Sequence, residues 1–565
     1  MNNGYLELAD CVLTNNGGNA GGDVYNNDSL AIYNSVLSNS VATSNLGGDG
    51  GAIFNSSSGV ANISGSTFNN STAQVNGGAI GNAGFLEIDT TTFNGNSAVV
   101  GAGINNTGTL NIVNDTLTGN YTQVNGIGGY QGSFGGGISN SGTLTASDCT
   151  LSANESYGEG GEIYSPSGTL NLVNTILANS VSLVNGTSIS DLYYGGNTLG
   201  AFANNLIVSS NISGGSANIF GENPLLSVLG NYGGQTLTLA LLPGSPALAA
   251  GNTSLIPNNP VTEAPYTTDQ RGDSRLYAGK VDIGAFESQG FYLDWSGGNQ
   301  SAPVNTPFAN PIVVTVSSFD GEPVAGGQIT LSTPATGASA SLSATTITLS
   351  SSGQASVTAT ANGIAGQYNV AVNAGGSNTT AITLTNTASN VAPAVSQVDV
   401  LFGNGLTYNL ANLTSTGRLD LPWAIKAIQV QFTEPVLGSS SSLAMTGLNG
   451  ALGMASVSGS GTNTLTWTLA TPITLDQVSG ALATTGPSGI TDLSANALAA
   501  ASSTFAFEVV LGDVTGDGKV TSSDTIAMRQ LIAAHGYNIF FDLNGDGSVD
   551  SNDLSLLQGR IGTGF

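Results

Sequence analysis

Apolar positions recur along the first third of the chain in sets of three. A large apolar residue stands at Leu13, Leu37, Phe68, Phe93, Leu117, Leu151 and Leu177. Seven residues before each stands Leu6, Leu30, Ala61, Leu86, Leu110, Leu144 or Leu170, and five before stands Leu8, Ile32, Ile63, Ile88, Ile112, Ala146 or Leu172. The i, i+2 spacing is the alternation of a strand with one buried face. The sets repeat every 24 to 34 residues, which suits one turn of a parallel β-helix, each coil stacking on the last and burying its inward side chains in a shared column. A second motif falls between the sets: GGDVYN (21–26), GGAIFN (50–55), GGAIGN (77–82), GAGINN (101–106), GGGISN (135–140) and GGEIYS (160–165). Its paired glycines predict corners that need positive φ or a missing Cβ. Asn16, Asn96, Asn120 and Asn154 follow the anchors by three and are expected in hydrogen-bonded ladders or at left-handed corners.

The pattern changes after residue 290. From Ser296 to Asn386, and again from about 392 to 510, β-branched alternation is broken by turn residues at the intervals of a β-sandwich. The last stretch changes period again. Ile526, Met528, Leu531 and Ile532 mark one helical face, ended by His535-Gly536, and Leu554, Leu557 and Ile561 mark a second. The chain thus reads as mainly β: a right-handed parallel β-helix over 1–290, two sandwiches over 291–390 and 391–510, and a small α-helical module over 511–565.

Charge narrows the function. Only 8% of the 565 residues are charged, the formal net charge is −27, and no Lys or Arg precedes Arg271. A nucleic-acid binder must place cations on phosphates, so that class is excluded, and acidic membrane surfaces are disfavoured for the same reason. No apolar run is long enough to span a membrane. Residues 1–10 lack the basic and apolar regions of a signal peptide and already read as the middle of a repeat, so more chain is expected upstream. Cys11 and Cys149 both lie two residues before an anchor, five coils apart. At ~4.8 Å per coil they are ~24 Å apart, too far for a disulfide, and two free thiols are expected.

The GGA(I) motif and the FxxN pattern, complete at Phe93–Asn96 and with Leu at Leu13, Leu117 and Leu151, resemble the repeats of polymorphic outer-membrane proteins. Residues 224–287, with PLLSVLGNYGGQTLTLALLPGSPALAAGN and TDQRGDSRLYAGKVDIGAFE, are similar to the choice-of-anchor Q segment that ends many bacterial β-helix surface proteins. The resemblance implies a cap over about 224–290, and the two-sign cluster of Arg271 and Arg275 with Asp269, Asp273, Asp282 and Glu287 reads as its ion pairs, with a binding site as the other reading. The first sandwich resembles the Ig-like modules of invasin- and intimin-type proteins. The second, with AIKAIQVQFTEPV, LTWTLATPI and GITDLSANALA, resembles an Ig-like type of S-layer and exported proteins.

The C-terminal module carries the candidate chemistry. DVTGDGKVTSSD begins at Asp513 and DLNGDGSVDSND at Asp542. Ca²⁺ takes six to eight oxygens, and a twelve-residue loop supplies them from positions 1, 3, 5, 7, 9 and 12, with glycine at 6 for the turn. The first set is Asp513, Thr515, Asp517, the Lys519 carbonyl, Thr521 and Asp524. The second is Asp542, Asn544, Asp546, the Ser548 carbonyl, Asp550 and Asp553. Val520 and Val549, at position 8, are expected to pair between the loops. Two such loop-helix units, with Asp at position 12, resemble dockerin type I repeats, with two Ca²⁺ implied. Thr515 departs from that family's Asn, and a hydroxyl is a poorer ligand, so the first site is expected to be the weaker. Ser522, Ser523, Ser551 and Asn552 fall where the family recognises its cohesin partner. Their other reading is as helix starts and N-caps.

No catalytic residue is assigned. His535 is the sole histidine and lies in the dockerin-like segment, so no Ser-His or Cys-His pair is available to the β-helix. A uronate lyase needs cations that the first 270 residues lack. The acids of the β-helix read as scattered, although a glycoside hydrolase or lyase stays open. Tyr121, Tyr130, Phe134 and Tyr157 form the candidate ligand platform, for polysaccharide, on loops projecting from the column; their other reading is as rings that pack those loops down onto it. The expected function is adhesion or display by an extracellular, secreted or cell-surface protein, docking through calcium onto a cohesin-like protein or envelope component. The alternatives are a carbohydrate-active component of a polysaccharide-degrading complex and a structural envelope protein whose dockerin has no partner.

Overall fold

The structure is a computed structural model that describes all residues except 44–48, 125–131, 184–189, 197, 377, 389–390 and 419. Four all-parallel sheets run side by side through the first 220 residues. One holds eight strands from Tyr5–Ala9 to Thr198–Ala203, a second nine from Val12–Thr14 to Ile219–Phe220. Two more hold seven each, from Gly17–Gly18 to Val181–Ser182 and from Val24–Asn26 to Leu192–Tyr194. This is a parallel β-helix, and its register follows the apolar pattern. Leu6, Leu30, Ala61, Leu86, Leu110, Leu144 and Leu170 stack as direct partners, as do Leu8 through Leu172 two residues on. The anchors Leu13 to Leu177 form the third column. Beyond the first coil these side chains are buried in one core, where Phe68 and Phe93 stack with ring centroids 4.8 Å apart.

The glycine corners form as expected. The first glycine of each pair, for example Gly77 at φ +66°, lies in the left-handed region, and a Cβ on Gly78 would meet the Ala102 carbonyl oxygen of the next coil at 2.1 Å. Asn96, Asn120 and Asn154 form a ladder of side-chain amides, with bonds of 2.9 and 2.8 Å, that ends on the carboxylate of Glu162. The left-handed corner falls one residue earlier, at Gly95, Gly119 and Ala153. Asn16 instead donates to Asp23. A longer ladder was missed by the sequence reading: Asn26, Asn55, Asn82, Asn106 and Asn140, each donating to the next at 2.7–2.8 Å. Its signal was the last position of the GG motif. A fully buried amide is tolerated only when its donors and acceptor are met, and an identical amide one coil away meets them. Cys11 and Cys149 are unpaired.

Residues 224–290 lie along the flank of the column. Thr236 donates to the Thr90 carbonyl, Gln270 bonds Thr92 and Thr116, and Ala285 N–H donates to Thr150. Arg275 reaches into the column to Asp148 at 2.9 Å, while Arg271 holds Asp269 at 2.9 Å and Asp273 at 3.2 Å. Arg271 also faces Glu322 of the following module at 3.6 Å.

Two sandwich-like modules follow. In the first, a three-stranded sheet (Phe291–Ser296, Ile312–Ser318, Gln354–Val357) and a five-stranded mixed sheet share one core. In the second, a six-stranded and a four-stranded antiparallel sheet enclose Trp423, Trp467 and Phe432. That second core continues without a break into the C-terminal module, through Val514, Val520, Met528, Leu543 and Leu557. The module itself is two helices, Ser522–Ala533 and Ser551–Gln558, with a short 3-10 turn at Ile539–Phe541 between them.

Candidate metal centre

The strand Thr504–Val510 delivers the chain to Asp513, where the first loop turns. Asp513 is fully buried, and its carboxylate accepts from Gly516 N–H and Gly518 N–H, both at 2.6 Å. These bonds fold the loop back on its first residue. Asp524, at position 12, is buried on the first turn of the helix Ser522–Ala533. It accepts from Thr521 N–H at 2.9 Å as a capping box, and from Thr515 N–H at 2.9 Å and the Thr515 hydroxyl at 2.8 Å. Asp517 is exposed and accepts from Lys519 N–H. Asp513, Asp517 and Asp524 each bring a carboxylate oxygen within 4.8 Å of the others. Three anionic oxygens converging in a backbone-lined turn are the donor set of a hard cation.

The second loop repeats the scaffold. Asp542 accepts from Gly545 N–H at 2.7 Å and Gly547 N–H at 2.9 Å. Asp553 accepts from Leu543, Asn544 and Asp550 N–H. Asp546 accepts from Ser548 N–H and the Asn544 amide. Burial pushes the Asp553 carboxyl up from its ordinary range, against the pull of those three bonds. Among the described residues, its acids are not gathered as closely as the first trio.

Thr521 and Asp550 are the helix N-caps. The N-cap reading of Ser522, Ser523, Ser551 and Asn552 is thereby taken by their upstream neighbours, and all four stand exposed at the two helix starts. Val520 does not pair with Val549. It bonds Thr563 and Gly562 near the C-terminus, because that segment folds back across the first loop. Ile526 and Ile561, expected on buried faces, are 56% and 55% exposed, whereas Met528 and Leu557 are fully buried.

Residues 511–562 match the family model of the Dockerin type I domain. A dockerin is a calcium-binding, protein-docking module, and the acidic cluster of Asp513, Asp517 and Asp524 fits that ion. No curated protein matches the chain. Among solved structures it is similar to invasin, a bacterial integrin-binding protein, at 18% identity and TM-score 0.24 over 39% of this chain and 39% of that one. It is also similar to FdeC, an Escherichia coli adhesin, at 16% and 0.16 over 41% and 71%, and to the Yersinia pseudotuberculosis adhesin InvE at 15% and 0.19 over 40% and 59%.

Part of the dockerin surface is covered by the preceding sandwich. Trp423 donates its indole N–H to the Ile539 carbonyl at 3.1 Å and stacks on Phe540 and Phe402. The backbones touch at Gly403 and Gly545, where a Cβ on either would lie within 2.5 Å of the other's Cα. No helix of the described chain is long and apolar enough to cross a membrane.

The β-helix gathers other groups than those read from sequence. Phe134 stacks on Tyr164 at 4.4 Å, and Tyr164 on Tyr193 at 5.0 Å. Tyr121 is exposed, Tyr157 is half-buried, and Tyr130 lies outside the described residues. A groove of about 460 Å³ opens instead between the first sheet and the flank segment, lined by Tyr33, Asn62, Glu87, Asp89 and Pro260 among others. Glu87 and Asp89 are i, i+2 on one strand and so share its outer face, a pairing passed over when the acids read as scattered. Burial, and then Asp89, push the Glu87 carboxyl up, while Asp89 accepts from the Tyr266 hydroxyl at 2.9 Å.

Proposed function

We propose that this is an extracellular, non-catalytic display protein whose dockerin binds two Ca²⁺, one per loop, and docks onto a cohesin-like partner. The observation that carries the reading is the two-faced dockerin. One face is consumed by the sandwich, while Ser522, Ser523, Ser551 and Asn552 stand exposed at the starts of both helices. The ligands are Asp513, Thr515, Asp517, the Lys519 carbonyl, Thr521 and Asp524 in one loop, and Asp542, Asn544, Asp546, the Ser548 carbonyl, Asp550 and Asp553 in the other. Bound calcium draws each loop onto its helix start, so the partner meets a set surface. The column of coils is then the cargo, with the faces that the flank segment leaves uncovered open to a ligand. The test is capture from envelope and secreted fractions with residues 391–565 as bait, so that the shared core stays covered, in calcium and in EDTA. A partner retained only in calcium, and lost in a Ser523→Arg/Asn552→Arg double variant, supports the reading. No retained protein in calcium sinks it.

A second reading, a carbohydrate-active component of a polysaccharide-degrading complex, draws on the Glu87–Asp89 groove. Two carboxyls of different environment beside a tyrosine ring are the groups of a glycosidase. Release of reducing ends from a polysaccharide panel, abolished by Glu87→Gln, distinguishes it from display. The third, a structural envelope role, is left if neither partner nor glycan is found.

A further inference from the structure

The groove on the column lies where the flank segment stands off the sheet beside it. Its floor is the outer face of three stacked strands, Ser29–Tyr33, Val60–Ser64 and Phe85–Asp89. Tyr33, Ser64 and Asp89 are direct partners in one row, and Asn62 and Glu87 in the row two residues earlier. All five side chains therefore leave the same face, with ~4.8 Å between neighbouring coils. The far wall is the turn around Pro260 and Val261, closed by its own bonds. Asn259 N–H donates to the Ala264 carbonyl at 2.8 Å, Tyr266 N–H to that of Pro257 at 3.0 Å, and Val261 N–H to the Asn259 side chain at 2.9 Å.

The polar groups of the floor are of two kinds. Asp89 is occupied: one oxygen accepts from the Thr90 hydroxyl at 3.1 Å and the other from the Tyr266 hydroxyl at 2.9 Å, which ties the turn to the column. Among the described residues, no hydrogen bond or ion pair engages the side chains of Tyr33, Asn62 and Glu87. They offer a carboxylate acceptor, an amide that both donates and accepts, and a phenol whose residue is 39% exposed. A cleft of about 460 Å³ with a few convergent polar groups and an aromatic ring has the size and make-up of a small-ligand site.

Charge then selects the ligand. The groove carries two carboxylates and no cation, and no Lys or Arg precedes Arg271. A uronate or a sulfated sugar would bring further negative charge beside Glu87 and Asp89 with nothing to pair it. A neutral sugar brings hydroxyls that donate to a carboxylate and an apolar ring face that lies on a phenol.

We propose that this groove binds a neutral saccharide without cleaving it, with Tyr33 against the sugar ring and Glu87 and Asn62 on its hydroxyls. Asp89 is a positioning residue that fixes the wall through Tyr266. A glycosidase needs two free carboxyls flanking the scissile bond; here both leave one face of one strand, and Asp89 is held by its two hydroxyl donors. This rests on the display reading and gives the column its ligand class.

The test is affinity electrophoresis and titration calorimetry of the full chain, in calcium and in EDTA. Mannan, xylan and a β-glucan are the neutral probes, polygalacturonate and heparin the acidic ones. Wild type is expected to bind at least one neutral probe, equally in calcium and in EDTA, and neither acidic one. Tyr33→Ala and Asn62→Ala should each weaken that binding about tenfold, with melting curves like that of wild type. Tyr33→Phe should keep most of it, and Tyr292→Ala, at an exposed ring of the first sandwich, all of it. If no neutral probe binds, if an acidic probe binds as well, or if Tyr33→Ala and Asn62→Ala bind like wild type, the proposal falls, while calcium-dependent capture of a partner is decided separately. Release of reducing ends from a bound probe, lost in Glu87→Gln, would overturn it in favour of a carbohydrate-active groove.

Discussion

Phe540 gives the sharpest test of the junction, because it belongs to the dockerin while its contacts lie in the sandwich. Its half-buried ring stacks on Trp423 at 5.4 Å, meets Tyr408 edge-on at 5.3 Å, and lies 4.4 Å under the Arg418 guanidinium. Phe540→Ala removes all three without opening either sheet. Truncating a half-buried phenylalanine costs about 2 kcal/mol, and the ring pairs and the cation over the ring add about 1 kcal/mol more. About 3 kcal/mol is on the order of a hundredfold in the undocked population. Hydrogen exchange reads this locally, where a global unfolding curve of a multi-domain chain would not. In calcium, amides of 399–409 and 539–545 are expected to exchange on the order of a hundredfold faster, with the β-helix unchanged. The second loop should still take up calcium, since Asp542 and Asp553 are held by their own backbone bonds. Unchanged exchange at both segments would refute the claim that these rings hold the modules together. Faster exchange throughout the sandwich would show that Phe540 belongs to its folding core instead.

Other outcomes follow from the same geometry. Asp524→Ala and Asp553→Ala should each remove one Ca²⁺ from the stoichiometry seen by native mass spectrometry and loosen the helix each caps; full uptake by both would refute the ligand assignment. Asn82→Ala breaks the amide ladder in mid-column, stripping the bonds to Asn106 and the Thr109 carbonyl, and should cost about 3 kcal/mol in β-helix stability by urea denaturation followed by exchange; a loss under about 0.5 kcal/mol would mean the ladder is not a net contributor. Burial lifts the Asp282 carboxyl to about 7, and burial together with Asp282 lifts that of Glu287. The folded flank therefore holds more protons than the unfolded chain above pH 4, so its stability falls as pH rises from about 4, through about 7 for Asp282 and on to about 10 for Glu287. Glu287→Gln should flatten that slope in melting curves, and a slope of opposite sign would overturn the account.

The β-helix was legible because its physics is periodic. Inward positions see only their counterparts one coil away, so a residue such as Leu110 needs nothing but Leu86 and Leu144 in register. The same local logic made the two loops readable, since twelve consecutive residues carry the donors and the turn that places them. The second ladder escaped because only the paired glycines of the GG motif were interpreted, and the Asn that ends it was given no role. The ligand platform was less legible: Tyr121 and Phe134 stand at the two ends of one long insert, but where an aromatic ring rests is decided by the coil it meets, and Phe134 meets Tyr164.

What the sequence by itself determined is therefore the column, its corners, the free thiols and the two calcium-type loops, all set by contacts between residues at fixed spacing. What only the tertiary structure decided are the long-range meetings: Glu87 and Asp89 under the flank segment, Arg275 driven into the column onto Asp148, and Trp423 brought against a dockerin some hundred residues away. None of these has a period or a motif, because a charge or a ring finds its partner across the fold according to which surfaces must be buried together. A module that looked self-contained in sequence thus shares its core with the domain before it.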